Sequence, residues 1–170
     1  MHGKGIEYYS NGEIRYEGEY LNGKWEGNGK HIMENGAYYI GQWKNDLCHG
    51  KVIDYYSNGK IRYEGEYFNG KREGNGKCIL ENGDYFIGQY KNGTSIKGKF
   101  YSSNGKILLY DGDFINGRPP NEIQIYSFND GGYYVGQCKE DLFHEKGKLY
   151  NSNGTIRQKG NWINDEFIGN

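Results

Sequence analysis

The chain reads as an all-β protein: an elongated, twisted, single-layer antiparallel sheet of about seven β-hairpin repeats, running over residues 1–170 as one array. Periodicity is the first reason. The phrase Tyr16-Glu17-Gly18-Glu19-Tyr20, an aromatic-x-Gly-x-aromatic strand, recurs more or less intact around Gly41, Gly65, Gly88, Gly112, Gly136 and Gly160, at steps of 23 or 24 residues. A fixed period of that length is the mark of a repeat architecture. Composition is the second reason. Mean hydropathy is −0.98 and only 35% of residues are hydrophobic, too little aliphatic material for an ordinary closed core. The 18 Tyr and 29 Gly come with only two Pro, and such regular aromatics argue for folded strands over disorder. No stretch shows a helical period.

In chain order, the first full strand runs into Asn22-Gly23, a pair that tolerates the positive φ of a tight hairpin turn. Gly27-Asn28-Gly29 opens a second strand ending near Met33, and Asn35-Gly36 turns the chain again. Tyr39-Ile40-Gly41-Gln42-Trp43 follows, with Tyr39, Gly41 and Trp43 on one face and Ile40 and Gln42 on the other, by the period of two. Asn45-Asp46 stands where Asn-Gly stood before, Gly50 to Tyr56 is the next strand, and Asn58-Gly59 the next turn. Tyr63-Glu64-Gly65-Glu66-Tyr67 then restarts the cycle.

A longer period overlies the short one. Residues 8–30 and 55–77 agree at 20 of 23 positions, an offset of 47, so pairs of repeats were duplicated as a unit. Asn11 to Gly18 and Asn58 to Gly65 span seven residues, whereas Asn35 to Gly41 and Asn82 to Gly88 span six. The extra residue predicts a bulge or a longer loop in alternate hairpins. The second half decays, most of all over 115–132, where Pro119-Pro120-Asn121 predicts a local break in pairing. Met1 to Gly5 resembles the tail of a hairpin and Asp165 to Asn170 stops as another should turn, so incomplete repeats are expected at both ends. Open edges of that kind invite neighbouring chains.

These residues resemble the MORN repeat family, whose unit reads roughly Tyr-x-Gly-x-Trp/Phe/Tyr-x-Asn-Gly-x-x-x-Gly-x-Gly followed by a second strand and a Gly turn. The resemblance covers nearly the whole chain. It is closest in the copies at Gly18, Gly41, Gly65 and Gly88, and most distant at Gly160. The Ser-Asn-Gly-Lys-Ile-Arg arm is also similar to a related repeat class common in bacterial surface and toxin-associated proteins. The resemblance implies a single-layered antiparallel sheet and roles in cytoskeletal scaffolds, cilia and flagella, membrane-contact junctions, or accessory segments of lipid kinases and methyltransferases.

Charge and chemistry narrow the function. The 22 acidic and 21 basic side chains nearly cancel and form no long run of one sign, so neither nucleic acid nor an anionic membrane is indicated. Cys48, Cys78 and Cys138, odd in number and irregularly spaced, fit reduced thiols and a cytoplasmic setting. Neither a signal-type N-terminal stretch nor a run of about 20 apolar residues occurs in the sequence. Cys48-His49 falls at a turn without a Cys-x-x-Cys companion, so a structural role is favoured over a metal site. Gly27-Asn28-Gly29-Lys30 and Gly74-Asn75-Gly76-Lys77 lack the spacing and following helix of a phosphate loop. The doublets Glu17/Glu19 and Glu64/Glu66 could do acid/base work, yet a repeated, solvated pair is unlike a unique catalytic cleft. The expectation is a non-enzymatic scaffold with no cofactor, metal or small-molecule substrate. It binds a helix or extended segment of a protein partner along the aromatic row Tyr20, Trp43, Tyr67, Tyr90, Phe114 and Trp162, in a cytoskeletal or ciliary assembly. A phospholipid-binding module is the alternative, disfavoured because surface attraction needs clustered Lys and Arg; an accessory segment of an enzyme is the other.

Overall fold

A computed structural model describes residues 2–103, 105, 107–120 and 123–170. Met1 of the opening stretch, and Asn121 and Glu122 within 115–132, lie outside them. The regular elements are all strands: β1 (Gly3–Tyr8), β2 (Ile14–Leu21), β3 (Lys24–Ile32), β4 (Tyr38–Lys44), β5 (Leu47–Tyr55), β6 (Ile61–Phe68), β7 (Lys71–Ile79) and β8 (Tyr85–Lys91) come first. They are followed by β9 (Thr94–Tyr101), β10 (Leu108–Asp113), β11 (Gln124–Ser127), β12 (Tyr133–Lys139), β13 (Leu142–Tyr150), β14 (Ile156–Ile163) and β15 (Glu166–Gly169). The chain divides into two units, residues 1–81 with 86–94, and residues 82–85 with 95–170.

In the first unit the strands are hydrogen-bonded in chain order, each antiparallel to the next. The turns work as the sequence predicts. Asn22 and Gly23 have φ of 52° and 79°, and Asn45 and Asp46 have 50° and 69°, the double positive φ of a type I′ turn. Asp46 in place of glycine has a second use, because its Oδ1 accepts the Trp25 N–H at 2.7 Å while its own N–H donates to the Trp25 carbonyl at 3.1 Å. Gly70 donates likewise to the Cys48 carbonyl and Gly93 to the Arg72 carbonyl, so these three turns are tied to the hairpins before them.

Bulges fall where the arms are longer. Glu7 pairs with Tyr16 and Tyr8 with Ile14, leaving Arg15 as the extra residue; Asp54 with Tyr63 and Tyr55 with Ile61 leave Arg62. The six-residue arm shows no shift between β3 and β4. The second strand of each repeat, however, begins straight after the turn, at Lys24 and Leu47, and not at Gly27 or Gly50 as expected. Gly27 instead sits inside β3 with φ of 68°. It is the positive-φ residue of a second irregularity, where Gly18 pairs with Gly29 and Tyr20 with Trp25, a conformation that favours glycine.

The core of this unit is aromatic and lies on one face. Tyr16 and Tyr63 are fully buried, and Tyr20, Trp25, Trp43, Tyr67, Phe86 and Tyr90 nearly so. In the second unit β9 pairs with β10, and β11 to β15 form a sheet in chain order. The pairing of the first sheet ends at Asp113 and the second sheet starts at Gln124, so the proline segment marks the break the sequence anticipates. This unit also has an aliphatic cluster that the repeat pattern does not announce. Ile107, Leu109 and Tyr133 bury one another, with Phe100, Ile125, Val135 and Tyr150 packed around them. The Tyr133 hydroxyl donates to buried Asp84 at 2.6 Å.

Candidate interaction surface

The expected docking row is the inner layer of the sheet. Tyr16 stacks on Trp25 with ring centroids 4.2 Å apart, and Tyr20 and Trp43 meet Tyr16 edge-on at 5.4 and 5.6 Å. One duplication later Tyr63 takes Tyr67 and Tyr90 edge-on, and the place of Trp25 is filled by Arg72, whose guanidinium lies 4.1 Å from the Tyr63 ring centroid. In the second unit Tyr134 stacks on Phe143 at 3.6 Å with Trp162 edge-on to both. Offset and edge-on contacts of this kind stabilise aromatic clusters. Of the predicted row, Tyr20, Trp43, Tyr67, Tyr90 and Trp162 are thus buried; Phe114 is half-buried and meets Tyr110 edge-on. The five buried rings belong to the hydrophobic core of their own units.

Polar groups complete the layer. Trp25 Nε1 donates to Glu7 at 3.0 Å and Arg15 reaches the same carboxylate at 2.6 Å. In the second copy Asp54, 1% exposed, accepts from Arg62 Nε at 2.9 Å and from Arg72 at 3.1 Å. A buried carboxylate requires this kind of pairing. Arg62 is the bulged residue and Arg72 is paired in register with Tyr67; at Arg15 and Arg62 the extra residue turns a side chain that alternation would send outward onto the aromatic face.

None of the residues weighed for chemistry forms a reactive centre. The Cys48 thiol is buried and pushed up to about 12 by that burial and by the Asp54 carboxylate, so it is protonated and a poor nucleophile or metal ligand at neutral pH. The adjacent His49 ring packs at 5.0 Å against Phe68. Glu17 stands across from Lys30, and Glu64 from Lys77, as cross-strand pairs. Among the described residues no group of three or more His, Cys, Asp or Glu could hold a metal ion. Among the described residues no helix is long and apolar enough to cross a membrane.

The face opposite the rings is different in kind. Ile6, Ile40 and Ile87 are 44%, 41% and 47% exposed, among Glu and Lys side chains. A shallow groove of about 610 Å³ crosses it, lined by Lys4, Ile6, Glu17, Glu19, Lys30 and Ile40. Sequence reasoning named Ile40 as facing away from Trp43 but gave it no role, because alternation says which residues share a face and not which face is covered. Sequence profiles agree with this architecture: the MORN repeat matches residues 16–38, 39–51, 63–85 and 134–156, and its variant residues 1–22 and 49–69. The chain belongs to the MORN repeat family. No curated protein matches it. MORN repeats are in general non-enzymatic modules of protein or membrane interaction.

Proposed function

We propose that this MORN array is a non-enzymatic scaffold that binds protein through the open face of its repeat sheet, and not through the ring row. The observation that carries the reading is the line of exposed isoleucines, Ile6, Ile40 and Ile87, on a face that no second layer of its own unit covers. Ile40 stands directly across from Ile53 at the centre of this face, with a Glu–Lys pair between them and Ile6 on one side, and an uncovered apolar centre rimmed by charges suits an interaction site. Its charges are mixed, Glu17 beside Lys30 and Glu64 beside Lys77, which suits a protein partner better than an anionic bilayer. The family's cytoskeletal and ciliary scaffolds are the setting in which we place it.

The test is a pair of measurements on the intact protein and on Ile40→Glu/Ile87→Glu. These positions are exposed, so circular dichroism should be unchanged. Proteins that co-purify with the wild type should be lost from the variant, and neither should float with phosphatidylserine vesicles. Flotation of the wild type, abolished in the variant, would transfer the face to the membrane reading.

A further inference from the structure

In the first unit the strand register writes one ladder of side chains across the open face. Ile6 stands opposite Glu17, Glu17 opposite Lys30, Lys30 opposite Ile40, Ile40 opposite Ile53, Ile53 opposite Glu64, and Glu64 opposite Lys77. Ile87 precedes Gly88 in β8 as Ile40 precedes Gly41 in β4. From β1 to β8 the ladder therefore reads Ile-Glu-Lys-Ile-Ile-Glu-Lys-Ile. Read backwards it is the same ladder with every Glu replaced by Lys and every Lys by Glu. That property follows from the 47-residue duplication, which places two four-strand units with the same open-face sequence, Ile-Glu-Lys-Ile, side by side, each with its charged pair in the middle.

We infer that this face pairs with the same face of a second copy of the chain. A rotation of half a turn about an axis parallel to the strands, passing between β4 and β5, lays one ladder on another in reverse order. Ile6 then meets the partner's Ile87, Glu17 the partner's Lys77, Lys30 the partner's Glu64, and Ile40 the partner's Ile53. Every contact occurs twice, as an isologous interface requires. The neighbouring ladder obeys the same operation: Ile32, Tyr38, Tyr55 and Ile61 face one another across the strands, so Ile32 falls on the partner's Ile61 and Tyr38 on the partner's Tyr55. On the third ladder the uncharged Asn28 and Gln42, cross-strand neighbours, fall on the partner's Glu66 and Lys51, and like charges do not meet. Two sheets stacked with nearly aligned strands interdigitate their facing side chains about 10 Å apart, and a strand-parallel axis produces that alignment.

Charge complementarity selects this occupant. A membrane or a uniformly charged partner would meet its own sign at every second charged position of the ladder, whereas the reversed copy meets the opposite sign at all of them. The chain's net charge of −1 adds little repulsion between copies. This inference rests on the reading of the open face as an interaction surface and names its partner.

The experiment is a charge exchange read by light scattering on size-exclusion chromatography of the intact protein, over a wide range of concentration. The wild type is expected as a dimer. Glu17→Lys/Glu64→Lys makes the charged ladder all basic and Lys30→Glu/Lys77→Glu makes it all acidic, so each alone is expected to be monomeric where the wild type is dimeric. An equal mixture of the two is expected to recover the dimer mass. All four substitutions in one chain restore both the cross-strand pairs and the self-complementarity, and that protein should again dimerise. If a double variant fails to fold by circular dichroism, Ile40→Asp, at an exposed position beside the axis, should give the same loss of dimer. A wild type that is monomeric throughout, or double variants that fold and dimerise as well as the wild type, overturns the inference, as does a mixture of folded variants that stays monomeric. A monomeric wild type whose Ile40→Glu/Ile87→Glu variant still loses co-purifying proteins would remove the second copy and leave the scaffold reading standing.

Discussion

At the scale of single residues, two kinds of position carry the sheet. Gly65 is one. A Cβ built there would lie 2.5 Å from the Tyr63 hydroxyl, 2.7 Å from the Asn75 carbonyl oxygen and 2.7 Å from the Gly76 Cα. Two of these neighbours are backbone and cannot step aside, so Gly65→Ala should lower stability by about 1–3 kcal/mol, read as a lower urea midpoint at unchanged slope. Arg72 is the other kind. It stacks on Tyr63, reaches Asp54 and donates to the Tyr67 hydroxyl at 3.4 Å. Arg72→Met keeps the volume but leaves Asp54 with Arg62 alone, at an expected cost of about 1–3 kcal/mol. Arg72→Trp copies the arrangement of Trp25, whose indole both stacks on Tyr16 and donates to Glu7, and should unfold at higher urea than Arg72→Met. The sequence displays the Trp25/Arg72 exchange as one of three differences between residues 8–30 and 55–77, yet nothing in it says that a guanidinium and an indole do the same job. That equivalence needs the ring of Tyr63 and the carboxylate of Asp54 in place.

At the scale of elements, hairpins are set by their turns and arms. Asn69 and Gly70 hold φ of 47° and 77°, and Gly70 N–H bonds to the Cys48 carbonyl of the preceding hairpin. A β-branched residue resists the left-handed region, so Asn69→Val should cost about 1–2 kcal/mol. Because the turn is tied to its neighbour, hydrogen exchange should also quicken at Gly70, the amide of that bond, and unchanged protection there would show that the turns act independently. The seven-residue arms reveal their bulges to counting alone, since an extra residue between fixed pairing points must go somewhere. What counting does not reveal is that the extra residue is Arg15 in the β1–β2 hairpin and Arg62 in its duplicate, β5–β6, aimed at Glu7 and Asp54. The early start of β3 and β5 was hidden for a related reason: Gly27 looked like a strand opener because glycine with positive φ serves bulges and turns alike.

At the scale of the molecule, tyrosine is the commonest residue of the buried core, and this makes the fold sensitive to alkali. Burial holds the Tyr63 hydroxyl up to about 12 against an ordinary 10, and the Cys48 thiol, with Asp54 beside it, up to about 12 against 9. Tyr16 and Tyr67 are raised for the same first reason. Each group is held in its neutral form by the native packing. The stabilisation is therefore complete below the ordinary pKa values and is lost as pH climbs from about 9 towards 12, where the unfolded chain releases protons that the native chain keeps. Tm measured at pH 8 and again near pH 11 should fall, and an unchanged Tm would mean that the phenols titrate freely and the aromatic layer is not closed.

The sequence by itself determined the repeat length, the hairpin turns, the bulged arms, the all-β class and the family, because each depends on local spacing: a period of 23 or 24 residues, a type I′ dipeptide, one residue more or fewer between glycines. It determined too which residues share a face, since side chains alternate along a strand. Only the tertiary structure decided which face is inside. Rings such as Trp43 and Tyr67 look like docking residues in a list, but a single-layer sheet has no other core, and the neighbouring strands close over them. The isoleucines left outside, Ile6, Ile40 and Ile87, are unremarkable in the sequence. They become a surface only when hydrogen-bonded register sets residues from distant repeats side by side. The cluster of Ile107, Leu109 and Tyr133 was illegible for the same reason: it joins segments outside the repeat's own period, and no local spacing encodes a contact of that kind.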